Sequence, residues 1–239
     1  MCRFKLLPVC PEWERELWGS IELVYQLSFG NSAGDGVDTL AVYISSCSTN
    51  RHYSREHGMG QLTQNSSDQV VVREIRKEDA TEFLALCHTL DAETTFMLLE
   101  SGERKTSIAE QEDIIDRMNT LPNQMMLVAV HCGEFIGFIV AIGGAFSRNK
   151  HCVSLVIGIK RAWWRMGIGG RLIDAAEQWA TQNQVHRLEL TVRADNQRAI
   201  ALYESKGFSI EGKKRDALYV NDAYVDEFYM GKLLATASS

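Results

Sequence analysis

The chain has 239 residues, of which 45% are hydrophobic and 23% are charged, a composition typical of soluble globular proteins. This balance excludes an intrinsically disordered chain, a collagen-like repeat and a small disulfide-stabilised fold. The 31 acidic and 25 basic residues give a net charge of −6, which argues against a general nucleic-acid-binding protein. The 6 cysteines form no CxxC motif, as expected of free thiols in a reducing compartment. We therefore expect a cytoplasmic protein.

The first part of the chain differs from the rest in composition. Residues 1–68 contain two of the three prolines, and residues 47–68 are polar without helical periodicity. We expect residues 1–68 to be an N-terminal extension, either a small structured unit or a poorly ordered segment. An alternative is that Met59 is the natural start. The apolar run near the N-terminus is too short for a signal peptide, and the main domain is expected at residues 69–239.

The first half of this domain is predicted to combine strands with two amphipathic helices. Apolar residues alternate or cluster in the strands and recur at helical spacing in the helices. In chain order, we expect a strand at 70–75, a helix after Lys77, a loop at 93–105, a helix capped by Thr106 or Ser107, and strands at 125–130, 135–142 and 152–159.

Residues 125–146 carry Glu134 as their only charge, so their length alone would allow a membrane helix. The middle of this stretch reads His131-Cys132-Gly133-Glu134, and the runs on both sides are rich in Val, Ile and Phe. Two strands joined by a tight turn explain this pattern better than a helix does. We therefore expect a hairpin here and no membrane segment.

The second half of the domain begins with a glycine-rich turn and an amphipathic helix. A strand at 187–192, a helix at 196–206 ended by Gly207, and two strands separated by Asn221-Asp222 follow. The predicted order βααβββαβαββ describes a mixed α/β (α+β type) domain. The inner face of the first helix is expected to contain Leu172, Ile173, Ala176, Trp179 and Ala180.

The glycine-rich turn contains Gly167, Gly169 and Gly170 between a strand and a helix. Free amides in the first turn of a helix, together with its dipole, favour a bound phosphate. Residue 170 is followed by Arg-Leu rather than Lys-Ser/Thr, which excludes a Walker loop, and Leu172 replaces the third glycine of a dinucleotide fingerprint. A polyanionic ligand is also indicated by six cations without a neighbouring acid: Arg148, Lys150, Lys160, Arg161, Arg165 and Arg171.

A second motif follows about 30 residues later. Residues 196–208 read Asn-x-x-Ala-x-x-x-Tyr-x-x-x-Gly-Phe. Together with the glycine-rich turn, this resembles the GNAT superfamily of acetyltransferases over Val70 to Leu234. Residues 96–104 and 224–230 resemble segments of its small-amine and amino-acid branch, which is close to the ribosomal-protein type. The resemblance implies the GNAT acyl-CoA N-acyltransferase fold and acetyl-CoA as co-substrate.

The resemblance assigns acetyl-CoA contacts mainly to backbone groups. Ile157 and Ile159 would pair with the pantetheine arm as if it were an added strand, and an amide of this strand would stabilise the oxyanion. Gly158 would form a bulge that separates this strand from its neighbour. Asn196 would fix the arm, or would serve only as a helix N-cap. The pyrophosphate would be held by the amides of Arg165, Met166, Gly167, Ile168, Gly169 and Gly170.

The resemblance also implies catalytic roles. Tyr203 would protonate the departing thiolate, although a core aromatic residue is the alternative. Ser154 occupies a position where many relatives carry a catalytic carboxylate. Proton removal from the amine would then pass through water or through Glu189, His151 or Asp226. It could also be largely unnecessary, which would favour α-amines of reference pKa ~7.7–8.0 over lysine-like amines at ~10.4.

The sequence thus predicts an acetyl-CoA-dependent N-acetyltransferase acting on a free amino acid or another small primary amine in a ternary complex. Acetylation of protein N-termini and non-catalytic acyl-CoA sensing are the alternatives. Phe96 and Met97, in the variable loop, are expected to line the acceptor site. No metal, nucleic acid or membrane partner is indicated, and a homodimer is possible. Trp164 departs from the family loop, which usually begins with Gln or Arg.

Overall fold

The computed structural model of the chain describes residues 70–235. The expectations for residues 1–68, including a natural start at Met59, lie outside this range. The element order is the predicted one, with seven strands and four helices, and short 3₁₀ turns precede α1 and α3. The strands are β1 (Val71–Glu74), β2 (Gln124–His131), β3 (Glu134–Gly143), β4 (Cys152–Ile159), β5 (Arg187–Arg193), β6 (Ser209–Val220) and β7 (Ala223–Leu233). The helices are α1 (Ala80–Glu93), α2 (Ile108–Thr120), α3 (Ile168–Gln182) and α4 (Gln197–Ser205).

All seven strands belong to one sheet, in the order β1-β2-β3-β4-β5-β7-β6. Neighbouring strands are antiparallel except β4 and β5, which are parallel because α3 connects them as a crossover. The predicted hairpin at 131–134 joins β2 to β3, with positive φ at Cys132 and Gly133. The apolar stretch therefore forms two strands, of which the second ends at Gly143, and within residues 70–235 no helix has the length and apolar character needed to cross a membrane.

The helix ends follow the chemistry of their terminal residues. Ser107 rather than Thr106 caps α2, since its side chain accepts a hydrogen bond from the Glu110 amide and Glu110 reaches back to Ser107. Gly207 follows α4 with φ of 83°, a backbone conformation that stops a helix readily. The Ser107 cap therefore marks where the loop between α1 and α2 ends.

Helices cover both faces of the sheet and divide the core in two. On one face, α1 and α2 pack over β2 and β3, with Ile115, Met118 and Met126 fully enclosed. On the other face, α3 and α4 pack over the centre of the sheet through the predicted inner residues of α3. Of those residues only Trp179 is partly exposed; Leu172, Ile173, Ala176 and Ala180 are buried.

Candidate active site

The two parallel strands separate at the centre of the molecule. β4 pairs with β5 only over Cys152–Ser154, which face Arg187–Glu189. Beyond Ser154 the strands diverge, so residues 155–159 have a strand partner on the β3 side alone. The free edge of β4 exposes backbone groups that an extended ligand could use as a strand partner.

A cavity of about 1280 Å³ opens at this separation. It reaches through the sheet from α1 and α2 on one face to the glycine-rich turn and α4 on the other. Every residue that the sequence assigned to the site lines this cavity except Met166, whose side chain is 60% exposed. The lining residues predicted from the sequence are Phe96, Met97, Ser154, Ile157, Gly158, Ile159, Arg165, Gly167, Ile168, Gly169, Gly170, Asn196 and Tyr203.

The glycine-rich turn presents three backbone amides without helical acceptors. The first hydrogen bond of α3 runs from the Arg171 amide to the Gly167 carbonyl at 3.1 Å. The amides of residues 168–170 therefore remain available. Gly167 has φ of 77° and Arg165 has φ of 64°, so the chain turns through the left-handed region just before the helix. This arrangement of amides at a helix N-terminus is suited to a phosphate group.

The cluster of six cations in the sequence is dispersed in the structure. Lys160 binds Glu134 at 2.6 Å, and Arg171 donates to the Val70 carbonyl, away from the turn. Of the six cations only Arg165 lines the cavity. Local charge in the sequence therefore does not locate the ligand by itself, because strand pairing brings Glu134 of β3 beside Lys160.

Trp164 contributes a contact that the sequence reading did not identify. Its indole Nε1 donates to the Ile159 carbonyl at 2.8 Å and so ties the turn to the end of β4. The guanidinium carbon of Arg198 lies 4.0 Å from the indole ring centre, and that of Arg161 lies 5.8 Å from it. Arg198 was missed because only the folded chain brings the start of α4 beside this turn.

Gly158 does not form the predicted bulge. The pairing of β3 with β4 continues without a register shift, with Phe138 opposite Gly158. A Cβ atom at residue 158 would lie 2.7 Å from Leu90 Cδ1 and 2.7 Å from a ring carbon of Phe138. Glycine is therefore needed here because α1 and β3 approach the strand closely.

Tyr203 is buried on α4, with its ring 6.0 Å from that of Phe208. Tyr203 lines the cavity, and its hydroxyl makes no hydrogen bond within residues 70–235. Burial raises the pKa of this phenol above its usual value, so the group stays protonated at neutral pH. A protonated and unpartnered hydroxyl can donate to a ligand in the cavity.

Ser154 and Glu189 meet where β4 and β5 separate. The Ser154 hydroxyl donates to Glu189 Oε1 at 3.4 Å, and Arg187 Nε donates to Glu189 Oε2 at 2.9 Å. The Glu189 side chain is 40% exposed and lines the cavity. Arg187 is also bound by Glu211, which fixes its position. The structure thus supplies a carboxylate beside the serine that stands in the expected carboxylate position.

The two other candidate bases lie elsewhere. His151 precedes β4 and packs 6.2 Å from the ring of His186, outside the cavity lining. Asp226 binds Lys213 at 2.5 Å and accepts a hydrogen bond from the Asp216 amide. The bond to Lys213 lowers the pKa of Asp226 below its usual value, which makes this carboxylate a weaker base. Of the three candidates only Glu189 lines the cavity.

Known proteins resemble the chain over the region that builds this cavity. A model of the acetyltransferase (GNAT) family matches residues 83–208. The L-amino acid N-acetyltransferase AaaT of Escherichia coli strain K12 is 32% identical over 127 residues, covering 52% of this chain and 74% of AaaT. The family match spans more than half of the chain. The chain belongs to the GNAT family of acetyltransferases.

Solved structures of GNAT proteins agree with this assignment. An acetyltransferase of the GNAT family from Streptococcus pneumoniae is 30% identical with a TM-score of 0.68, covering 70% of this chain and 100% of its own. A ribosomal-protein-alanine N-acetyltransferase from Brucella melitensis shares the fold at 22% identity and a TM-score of 0.62, covering 69% and 99%. The chain is an acetyl-CoA-dependent N-acetyltransferase, as the sequence analysis expected.

In this GNAT domain, two arginines anchor the loop that carries Phe96 and Met97. Arg193 donates to the Thr95 carbonyl at 2.6 Å, and its guanidinium lies 4.8 Å from the Phe96 ring centre. At the other end of the loop, Arg104 forms a bidentate pair with the buried Asp91. Phe96 and Met97 are thereby held at the cavity wall. Residues 70–235 contain no cluster of three or more side chains able to hold a metal ion.

Proposed function

We propose that this enzyme transfers the acetyl group of acetyl-CoA to the primary amine of a free amino acid or another small molecule. The observation that carries this proposal is the single cavity in which the free edge of β4 lies between the turn amides and the Ser154–Glu189 pair. A donor on one side of the sheet would therefore meet an acceptor on the other. The likeness to AaaT, an L-amino acid N-acetyltransferase, supports an amino acid as acceptor.

The donor side fits a diphosphate followed by an extended amide-containing arm. The available amides of residues 168–170 would bind the pyrophosphate, assisted by Arg165. The backbone of Ile157 and Ile159 would pair with the arm, since no strand within residues 70–235 covers that edge of β4. Asn196 caps α4 by accepting from the Ala199 amide at 3.2 Å, so any contact with the arm would add to that role.

Tyr203 is the proposed general acid. The residue is buried, and its hydroxyl is protonated and makes no hydrogen bond within residues 70–235, so it can donate to the sulfur that leaves when the amide bond forms. The amide of the 157–159 strand would meanwhile stabilise the negative charge on the carbonyl oxygen. The alternative of a purely structural tyrosine is disfavoured because its hydroxyl faces the cavity without a structural bond.

Glu189 is the proposed general base. Its Oε1 points toward Ser154, while Arg187 holds its Oε2. The incoming ammonium would give one proton to Oε1, directly or through the Ser154 hydroxyl, and then attack as a neutral amine. As the C–S bond breaks, the amide nitrogen would lose a second proton, which balances the proton that Tyr203 gives to the thiolate and restores its phenol. Among the alternatives left open by the sequence, we prefer Glu189 to water alone and to a reaction without a base, because this carboxylate lies where the two strands separate.

The acceptor class is tested with purified protein, acetyl-CoA and a panel of free amino acids, each matched to a peptide with the same first residue. Release of free thiol reports turnover, and mass spectrometry identifies the acetylated product. We expect higher kcat/KM for free amino acids than for the matched peptides. The opposite preference would favour acetylation of protein N-termini. Tight acetyl-CoA binding without turnover on any amine would favour an acyl-CoA sensor.

The base is tested with Glu189→Gln and, as a matched control, Glu82→Gln at an exposed position of α1 outside the cavity. We expect Glu189→Gln to lower kcat/KM by roughly 10²–10⁴ at pH 7, with Glu82→Gln unchanged. The deficit should shrink as the pH approaches the amine pKa of ~7.7–8.0 for α-amines, because the acceptor then loses its proton without help. A deficit independent of pH would argue against the role of base.

A further inference from the structure

One buried polar side chain in the cavity has no partner. Gln111 lies on the inner face of α2, is 2% exposed and lines the cavity. Its Nε2 donor makes no hydrogen bond within residues 70–235. A buried amide without a partner costs about 1–3 kcal/mol, so such a group in a ligand cavity points to a ligand atom that satisfies it.

The position of Gln111 relative to the reaction site follows from the sheet. α2 packs on β2, whereas Ser154 belongs to β4, two strands away. The distance across the sheet from β2 to β4 is two strand spacings, or roughly 10 Å. Met126, Val140 and Val156 are register partners on β2, β3 and β4, and all three line the cavity. An apolar floor therefore leads from the reacting amine to the Gln111 amide.

The part of the cavity wall formed by α1, α2 and the loop between them carries no net charge. The side chains that α1, α2 and the loop between them contribute are apolar or uncharged, apart from Arg104. Arg104 is bound in bidentate fashion by the buried Asp91, so the pair adds no net charge. A carboxylate placed beside Gln111 would lack a compensating cation, and burying such a charge is costly. An uncharged oxygen acceptor fits better.

We propose that Gln111 selects acceptors whose amine is joined by an apolar side chain to an uncharged hydrogen-bond acceptor, which its Nε2 binds. This inference rests on the proposed function and adds a substrate class to it. Amino acids with a side-chain carbonyl are the corresponding compounds. The apolar floor binds the methylene groups of the acceptor's side chain. The Gln111 amide then distinguishes a carbonyl from a methylene near the end of that side chain.

The test compares norleucine with its δ-keto analogue, in which a carbonyl replaces one methylene. We expect the wild-type enzyme to favour the keto compound in kcat/KM by tenfold or more. Gln111→Met keeps the length of the side chain but removes the amide, and should reduce this ratio at least tenfold. Gln111→Leu serves as a second variant, and Gln178→Leu, at an exposed position of α3, is the control. Thermal unfolding and acetyl-CoA calorimetry verify that each variant is folded and binds the donor.

The outcomes separate this inference from the proposed function. If both compounds are acetylated at equal rates by the wild type, Gln111 selects nothing and the inference fails, while the N-acetyltransferase activity stands. If neither compound is acetylated, calorimetric affinities of the acetyl-CoA-bound wild type for the two compounds decide: a preference for the keto compound supports the inference, and equal affinities refute it. An unchanged ratio in both folded Gln111 variants also refutes it.

Discussion

Replacing Tyr203 by Phe removes one oxygen atom and separates the chemical role of this residue from its packing role. The residue is buried but its hydroxyl makes no hydrogen bond within residues 70–235, so the substitution removes no hydrogen bond to the protein. The free energy of unfolding should stay the same or rise by up to about 1 kcal/mol, which corresponds to a Tm increase of roughly 2–4 °C. The turnover number should nevertheless fall by roughly 10²–10⁴, or about 3–5 kcal/mol in activation free energy.

The assay measures thiol release at saturating acetyl-CoA and amine, with Tm recorded on the same samples. Tyr219→Phe is the matched control, because Tyr219 is 61% exposed on β6 and lies outside the cavity lining. Acetyl-CoA affinity should be unchanged in both variants. A folded Tyr203→Phe enzyme with a turnover number within threefold of wild type would show that the proton reaches the thiolate from another source.

Three further substitutions test the stability of the fold and the position of the proposed base. Gly158→Ala places a Cβ 2.7 Å from two side chains and should cost about 1–3 kcal/mol, measured by denaturant unfolding; an unchanged midpoint would refute the close approach. The bond to Arg73 lowers the pKa of Asp79, so the pair stabilises the fold above pH ~3.9 and this contribution is lost as the pH falls through the lower folded pKa. The Tm difference between wild type and Asp79→Asn should therefore shrink on acidification. Finally, Ser154→Asp should restore part of the activity lost in Glu189→Gln; no recovery in a folded double variant would argue against a shared base position.

The element order could be predicted because each element carries a local signal. The helical spacing in α3, the serine before α2 and the glycine after α4 all agree with the folded structure. The hairpin at 131–134 was recognised from its turn residues, despite an apolar stretch long enough for a membrane helix. The bulge at Gly158 was predicted wrongly, because a glycine within a strand is equally explained by close packing, and only the neighbouring elements distinguish the two.

The proposed donor side of the cavity is easier to locate from the sequence than the proposed acceptor side. Residues 157–170 are nearly continuous in the chain and use backbone amides, so a motif is enough to locate them. The acceptor side combines side chains from α1, α2, β2 and β5, which are distant in sequence. Gln111 has no local signature, since a glutamine on a helix is usually solvent-exposed. Its significance depends on burial without a partner, a property of the folded chain.

The sheet geometry allows a carboxylate on either β4 or β5 to reach the proposed position of the base. Ser154 and Glu189 face each other on the last paired rung of two parallel strands. Because side chains on a common rung point to the same face of a sheet, a carboxylate on either strand reaches the same part of the cavity. The serine therefore does not by itself imply a missing base. Arg187 holds one carboxylate oxygen of Glu189, so that the other oxygen faces Ser154 at the point where the two strands separate.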